Sequence, residues 1–229
     1  MTPRLVLFDI DGTLLSAGLV FRQVLAEVLI ETFGSAGPME SYAFAGRTDP
    51  EIVRGLMRGA GVDAALIDAK MPSVLEWFAA KLVSVLKGEM IRPKPGIPLL
   101  VERLAADKSV TLGLLTGNLE PCARAKLAPL GLNAHFPFGA FGSDHEQRSA
   151  LPAIAVERAY RATGQRFVGK SVVIVGDTVF DVRCGRGLGV RAVAVAASAT
   201  PREALSAEQP DALLDSFDDV EAAVAAILG

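Results

Sequence analysis

Four aspartates in this sequence lie in two closely spaced pairs that suit metal and phosphoryl chemistry. Asp9 and Asp11 form the first pair, and Asp177 and Asp181 form the second. Carboxylates that are brought close together are stable only if some are protonated or if a cation lies among them. Because ligands that are all oxygen favour a hard cation, the aspartates predict a magnesium site, provided that the fold brings the two pairs together.

The same residue types could transfer a phosphoryl group. A carboxylate can attack phosphorus to give an acyl phosphate, and a second carboxyl group can protonate the leaving oxygen and later take a proton from water. Asp9 and Asp11 flank Ile10, so at the end of a strand their side chains point to the same side. Thr116 and nearby backbone N–H groups could hold the phosphate oxygens, and a positive side chain would help because negative charge spreads over them.

Short apolar runs place these residues at one edge of a predicted sheet. The runs are β-branched or rich in leucine and lack strict alternation, as expected for parallel strands covered on both faces. They span residues 5–10, 110–116, 171–176 and 190–197, with weaker candidates at 136–141 and 212–214. Ligands bind at the carboxyl ends of parallel strands, and Asp9, Thr116 and Asp177 each lie at or just after the end of a run.

A helical segment is predicted to interrupt the sheet after its first strand. Apolar residues repeat at helical spacing, and residues from about 15 to about 90 are expected to be almost wholly helical. Within this segment Asp49 is expected to cap a helix that begins at Pro50. The chain is therefore predicted to be an α/β protein, with a Rossmann-like parallel-sheet core of residues 1–14 and 93–229 and an inserted all-α cap of residues 15–92.

Three segments match the motifs of a known superfamily, in order and in strand context. They are Asp9-Ile10-Asp11-Gly12-Thr13-Leu14, Leu114-Leu115-Thr116-Gly117-Asn118 and Gly176-Asp177-Thr178-Val179-Phe180-Asp181. With these motifs the chain resembles the haloacid dehalogenase superfamily, in its phosphoglycolate phosphatase-like branch, and the match spans essentially the whole chain. The resemblance implies a mobile helical cap that closes over the substrate and excludes water.

The resemblance also implies roles for the four aspartates. Asp9 is expected to be the nucleophile, and Asp11 the general acid and base. Asp9, the backbone carbonyl of Asp11 and Asp177 are expected to bind Mg²⁺, with Asp181 acting through a bound water.

Further residues are expected to contact the substrate. By resemblance, Thr116 binds the phosphoryl group, and Gly12, Gly117 and Asn118 form the walls of the phosphate site. The segment from residue 46 to residue 49 resembles a substrate-specificity loop of the superfamily. Arg47 within it could reach a substrate anion, or it could form a surface ion pair with Asp49 or Glu51.

The sequence departs from the superfamily at the third motif, where a lysine is usual. The corresponding residues 143–152 contain no lysine, and Arg148 is the best substitute. An arginine can neutralise phosphate and bridge to Asp9, although its geometry differs from that of an ammonium group. Lys170 is a weaker candidate, because it precedes a strand at the opposite edge of the sheet.

Composition excludes several classes of partner. The chain has 229 residues and a net charge of −3, so it shows no basic surface for nucleic acid. No apolar stretch is long enough to span a bilayer, and no export signal is recognisable. Cytoplasmic localisation is therefore expected.

The expected function is hydrolysis of a small phosphorylated metabolite, such as phosphoglycolate or a sugar phosphate, with Mg²⁺. Two alternatives stay open. A phosphomutase similar to β-phosphoglucomutase would use the same Asp9, and a catalytically silent protein would bind a phosphorylated ligand without turnover. The missing lysine supports the silent protein, whereas the intact Asp9, Asp11, Thr116 and Asp177 argue against it.

Overall fold

Six short apolar segments form one parallel sheet in the computed structural model, which describes residues 3–229. They are β1 (Arg4–Phe8), β4 (Val110–Leu115), β5 (Gly139–Ala140), β6 (Val172–Gly176), β7 (Arg191–Val195) and β8 (Ala212–Leu214). Their order across the sheet is β5-β4-β1-β6-β7-β8. The four strands predicted from the apolar runs, the two weaker candidates and the predicted α/β fold class are confirmed.

The register of the central strands brings their carboxyl ends level. Phe8 at the end of β1 pairs with Leu114 of β4 on one side and with Val175 of β6 on the other. The β1 strand ends at Phe8, two residues earlier than the apolar run predicted, so Asp9 follows the strand directly. The segments that follow β1, β4 and β6 therefore start side by side.

Helices cover both faces of the sheet because each carries an apolar stripe. One face packs against α4 (Ile97–Ala106), α5 (Glu120–Leu127) and α9 (Val220–Leu228), and the other packs against α6 (Leu151–Thr163). Two shorter helices, α7 (Val179–Cys184) and α8 (Arg202–Ala207), complete the core. None of the helices from residue 3 onward combines the length and the apolar composition needed to cross a membrane.

Three helices between β2 (Leu15–Ser16) and β3 (Arg92–Pro93) form a separate helical unit, which we call the cap. They are α1 (Val20–Phe33), α2 (Asp49–Gly59) and α3 (Ala64–Val85). The β2 and β3 strands pair antiparallel where the chain leaves and re-enters the core. The predicted boundaries at residues 14/15 and 92/93 fall at this pair and stay a prediction.

The cap shares its apolar core with a helix of the sheet domain. Leu119 and Cys122, at the start of α5, are buried among the apolar side chains of α1, α2 and α3. The cap is therefore docked on α5 in this structure.

The segment that joins α1 to α2 departs from the prediction. Residues 34–48 are irregular rather than helical, and α2 is capped by Thr48, whose hydroxyl accepts a hydrogen bond from the backbone N–H of Glu51. The prediction that Asp49 is the capping residue was wrong, because Asp49 is the first helical residue and its carboxylate binds elsewhere.

Candidate active site

Three strands deliver polar side chains to one buried edge of the sheet. Asp9 follows β1, Thr116 follows β4 and Asp177 follows β6, and all three are almost completely inaccessible to solvent. All three line one cavity of about 210 Å³ between the core and the cap. The fold thus brings together the residues that the sequence placed at separate strand ends.

Three of the four aspartates form a compact cluster. Asp9, Asp177 and Asp181 each offer a carboxylate oxygen, and these oxygens lie within 4.8 Å of one another. The hydroxyl of Thr13 donates a hydrogen bond of 2.7 Å to Asp177, and the hydroxyl of Ser198 also bonds to Asp177. Such an arrangement of buried oxygens is suited to a cation.

Gly12 supports this cluster by its backbone rather than by lining the cavity. Its φ of 92° favours glycine, and a Cβ at this position would lie 2.3 Å from Oδ2 of Asp177. Gly12 is not among the residues that line the cavity, whereas Gly117 and Asn118 are. The structure therefore places Gly12 against a carboxylate instead of at the wall of the substrate site.

Arg148 is the basic residue of the cluster. Its guanidinium donates a hydrogen bond of 3.0 Å to Oδ1 of Asp9 and a second hydrogen bond to Asp181, and it is 5% exposed. Burial alone would lower the pKa of Arg148, but the Asp181 and Asp9 carboxylates raise it. The arginine that replaces the usual lysine is thus charged and in contact with the candidate nucleophile. Lys170, the weaker candidate, pairs instead with Asp211.

The cluster carries more negative charge than Arg148 balances. Burial raises the pKa of Asp9 against the effect of Arg148, and the Asp181 and Asp177 carboxylates raise it further. Burial and the Asp181 carboxylate also raise the pKa of Asp177. A divalent cation would favour the ionised forms, and the all-oxygen donor set fits Mg²⁺.

Asp11 lies outside this cluster and is held by a second basic group. Asn118 Nδ2 donates a hydrogen bond of 2.7 Å to Asp11 Oδ2, and Lys126 Nζ donates one of 2.6 Å to the same oxygen. Asn118 Nδ2 also donates to the hydroxyl oxygen of Thr116, at 2.8 Å. The candidate phosphate-site residues Thr116 and Asn118 are therefore linked directly to the candidate acid and base.

Sequence reasoning missed Lys126. The residue is 2% exposed and lies on α5, on the same face as the buried residues Cys122, Ala123 and Leu127. A lysine on the apolar face of a helix that starts just after Asn118 was a usable signal, since lysine is rarely buried without a partner.

The cap contributes further cationic and apolar walls. Arg47 lines the cavity and forms an ion pair with Glu51. Its Cζ atom lies 5.4 Å from the ring centre of Phe180. Arg47 therefore forms the ion pair with Glu51 and also lies at the cavity wall. Arg22 is a fourth basic residue of the lining, after Arg47, Lys126 and Arg148, and Phe21 is also part of the lining.

Comparison with known proteins agrees with this geometry. The sequence model of the haloacid dehalogenase-like hydrolases matches residues 6–195. The chain is 25% identical over 218 residues to a phosphoglycolate phosphatase of Pectobacterium atrosepticum, covering 93% of this chain and 88% of the relative. It is 29% identical over 193 residues to a phosphoglycolate phosphatase of Xylella fastidiosa, covering 82% and 78% of the two chains.

A solved structure supports the fold independently. The crystal structure of a hydrolase from Pseudomonas syringae superposes with a TM-score of 0.75 at 17% identity, and the alignment covers 100% of both chains. The chain therefore belongs to the haloacid dehalogenase-like hydrolase family, and it is a phosphatase enzyme. The resemblance inferred from the three motifs is confirmed.

Proposed function

We propose that this phosphatase hydrolyses a small phosphate monoester with Mg²⁺, through an intermediate in which the phosphoryl group is bound covalently to Asp9. One observation carries the proposal. Asp9, Asp11, Thr116 and Asp177 converge on a single cavity that the cap covers. Each of the four has the chemistry that one part of phosphoryl transfer needs.

Asp9 is the proposed nucleophile. Arg148 binds its Oδ1, which leaves Oδ2 as the oxygen that attacks phosphorus. The bond between phosphorus and the ester oxygen breaks as the bond to Asp9 forms. Arg148 fixes the orientation of the carboxylate, and its charge also favours the ionised form of Asp9.

Asp11 is the proposed general acid and base. It donates a proton to the departing ester oxygen, which leaves as the alcohol. It then takes a proton from the water that attacks the phosphoryl group on Asp9. That second step breaks the bond between Asp9 and phosphorus and releases inorganic phosphate.

The remaining residues bind the phosphoryl group. The Thr116 hydroxyl and the backbone N–H of Gly117 are the proposed donors to its oxygens. Mg²⁺, held by Asp9, Asp177, the Asp11 carbonyl and, through water, Asp181, would neutralise phosphate charge when bound. Gly117 keeps this wall free of a side chain, and Asn118 connects it to Asp11.

The cavity favours a small anionic substrate. Its volume of about 210 Å³ suits a metabolite of a few carbon atoms, and Arg22, Arg47 and Lys126 are among its lining residues. The relatives named phosphoglycolate phosphatase suggest an acid of that type. With a net charge of −3, we expect no nucleic-acid partner, and we expect the enzyme to act in the cytoplasm without a membrane partner.

The test is phosphate release from p-nitrophenyl phosphate, phosphoglycolate and hexose phosphates, with Mg²⁺ and with excess EDTA. We expect release that depends on Mg²⁺ and is fastest for a small acid. Asp9→Asn should lower kcat by at least about a thousand-fold while the protein stays folded. Undiminished activity in EDTA or in Asp9→Asn would refute the proposal.

The two alternatives give different results in the same assay. A mutase would convert β-glucose 1-phosphate to glucose 6-phosphate and release little inorganic phosphate. A silent binding protein would release none from any compound, although a folded sample would still bind Mg²⁺.

A further inference from the structure

Lys126 is the most deeply buried basic residue beside the active site, and no motif of the sequence accounts for it. Its side chain is 2% exposed. Burying an ammonium group is costly unless it is paired and hydrogen-bonded. Here Nζ donates 2.6 Å hydrogen bonds to Asp11 Oδ2 and to Asn118 Oδ1. Both partners lie at the candidate active site, so the Lys126 ammonium group is held beside that site.

We propose that Lys126 is a positioning residue, which holds the Asp11 carboxylate and the Asn118 amide in the orientation that proton transfer to the leaving oxygen requires. The inference rests on the proposed function, in that Asp11 is taken as the general acid. It adds a basic residue on α5 to the residues that the three motifs supply.

The pattern of hydrogen bonds shows how the positioning works. Among residues 3–229, the bonds to the Asp11 carboxylate come from Lys126 and Asn118, and both go to Oδ2. This leaves Oδ1 as the oxygen that can exchange a proton in the cavity. The Asp11 side chain is 42% exposed, so without two donors on one oxygen it would be free to occupy several rotamers.

Lys126 also determines which way the Asn118 amide faces. An ammonium group can only donate, so it selects the amide oxygen of Asn118. The amide nitrogen must then point to Asp11 and to the hydroxyl oxygen of Thr116, at 2.7 and 2.8 Å. One buried cation thereby orders a chain of three residues that connects the candidate acid to the phosphate site.

The helix that carries Lys126 is also the one on which the cap docks. Nζ lies 5.7 Å from the ring centre of Phe21 on α1, and Leu119 and Cys122 of α5 pack among the cap side chains. The ammonium group is therefore buried where α5 meets the cap, while its partner Asp11 faces the cavity.

The test compares two esters that carry the same charge but differ in their leaving group. Glycerol 2-phosphate needs a proton on its leaving oxygen, whereas p-nitrophenyl phosphate releases a stabilised anion. For Lys126→Met we expect kcat/KM to fall roughly 10- to 100-fold with glycerol 2-phosphate, and by less than about three-fold with p-nitrophenyl phosphate. Lys126→Arg should recover part of the loss, because it restores a cationic donor.

Other roles give other patterns. If Lys126 only attracts the phosphate, both esters lose kcat/KM equally; if it only stabilises the fold, the melting temperature falls and both esters again respond alike. Either result overturns the proposal. Lys108→Met, at an exposed position, is the matched control and should behave like the wild type.

A crystal structure of Lys126→Met separates this proposal from the proposed function. We expect the Asp11 carboxylate or the Asn118 amide to rotate away from the wild-type orientation, and unchanged orientations would overturn the proposal. A wild type that hydrolyses neither ester would instead refute the proposed function, while the crystal structure would still decide the positioning. If Lys126→Met does not fold, Lys126→Gln removes the charge but keeps a polar group, and the same two measurements apply to it.

Discussion

The backbone N–H of Leu119 donates a hydrogen bond of 2.8 Å to the carboxylate of Asp49, which joins the cap to the first turn of α5 in the core. The backbone N–H of Asp49 in turn donates to the carbonyl of Gly117, also at 2.8 Å. Asp49 is 4% exposed. The interface between cap and core therefore contains a buried acid directly beside the proposed phosphate-binding segment.

This buried acid predicts how stability depends on pH. Burial raises the pKa of Asp49 to about 7 from its usual value of 3.8, although the Leu119 N–H and Lys126 oppose the rise. The folded state then binds a proton that the unfolded state has lost, so stability falls as pH rises from about 4 to about 7. The contribution is at most on the order of 4 kcal/mol.

Asp49→Asn should remove this contribution, because the amide keeps the acceptor oxygen but does not ionise. In urea denaturation, the free energy of unfolding of Asp49→Asn minus that of the wild type should increase as pH rises from 4 to 7. Asp219→Asn, at the exposed start of α9, controls for an Asp-to-Asn change outside the interface. A difference that does not vary with pH would show that the pKa of Asp49 is not raised in the folded state.

We expect closure of the cap to depend on the absence of a side chain at Gly117. A Cβ at this position would lie 2.0 Å from the carbonyl oxygen of Arg47 and 3.0 Å from Cα of Thr48. Gly117→Ala should therefore push the cap off the core and lower kcat/KM by at least about ten-fold, because the substrate is no longer enclosed and aligned.

Small-angle scattering should show the displaced cap as a larger radius of gyration in Gly117→Ala. Gly187→Ala is the matched control, since a Cβ there would have no neighbour within 4 Å. Wild-type kinetics and dimensions in Gly117→Ala would mean that the contact with Arg47 is not needed for the closed form.

The local part of the site could be predicted from the sequence. Asp9, Thr116 and Asp177 are tied to the ends of apolar runs, and parallel strands must bring their carboxyl ends to one edge. Arg148 was also found, because the segment that carries it has a fixed place in the order of motifs. These residues are determined by short-range pattern and by the topology of the sheet.

The part of the site that depends on docking could not be predicted. The bond from Leu119 to Asp49 spans 70 residues, and the bond from Lys126 to Asp11 spans 115. No periodic pattern or motif spacing in the sequence indicates either contact. The first arises only when the cap packs on α5, and the second only when α5 packs beside the end of β1. Both packings are decided by the shapes of apolar faces.

Removing the charge of Arg148 is expected to lower the stability of the protein strongly. Arg148→Met would leave Asp9 and Asp181 buried without their cation, and loss of one partner of such a pair typically costs about 3–5 kcal/mol. Arg148→Lys keeps a positive charge and should lose less. The difference should appear in urea denaturation at pH 7.5 without Mg²⁺.

An exposed ion pair provides the comparison for Arg148. The Arg202 side chain is 47% exposed and pairs with Asp215 at 2.6 Å. Arg202→Met should cost less than about 1 kcal/mol, because solvent screens such pairs. Equal stability of Arg148→Met and the wild type would argue that Asp9 and Asp181 do not need the guanidinium.

Replacing Asp177 by asparagine is expected to affect the melting temperature differently with and without Mg²⁺. Without Mg²⁺, burial and the Asp181 carboxylate raise the pKa of Asp177, so the ionised carboxylate is unfavourable in the folded state. Asp177→Asn should therefore leave the melting temperature at pH 8 unchanged or higher. With Mg²⁺ at about 100 times its dissociation constant, the wild type should gain about 2.7 kcal/mol, or roughly 5–10 °C for a chain of this size.

Asp177→Asn should lose most of that gain, because an amide is a weaker ligand than a carboxylate for a hard cation. Asp215→Asn, in which the replaced side chain is 79% exposed, should respond to Mg²⁺ like the wild type. A reversal of the order of melting temperatures between the two conditions would connect Asp177 to the metal rather than to the fold, since a purely structural aspartate would shift both conditions in the same direction. A Mg²⁺ response that survives in Asp177→Asn would place the cation elsewhere.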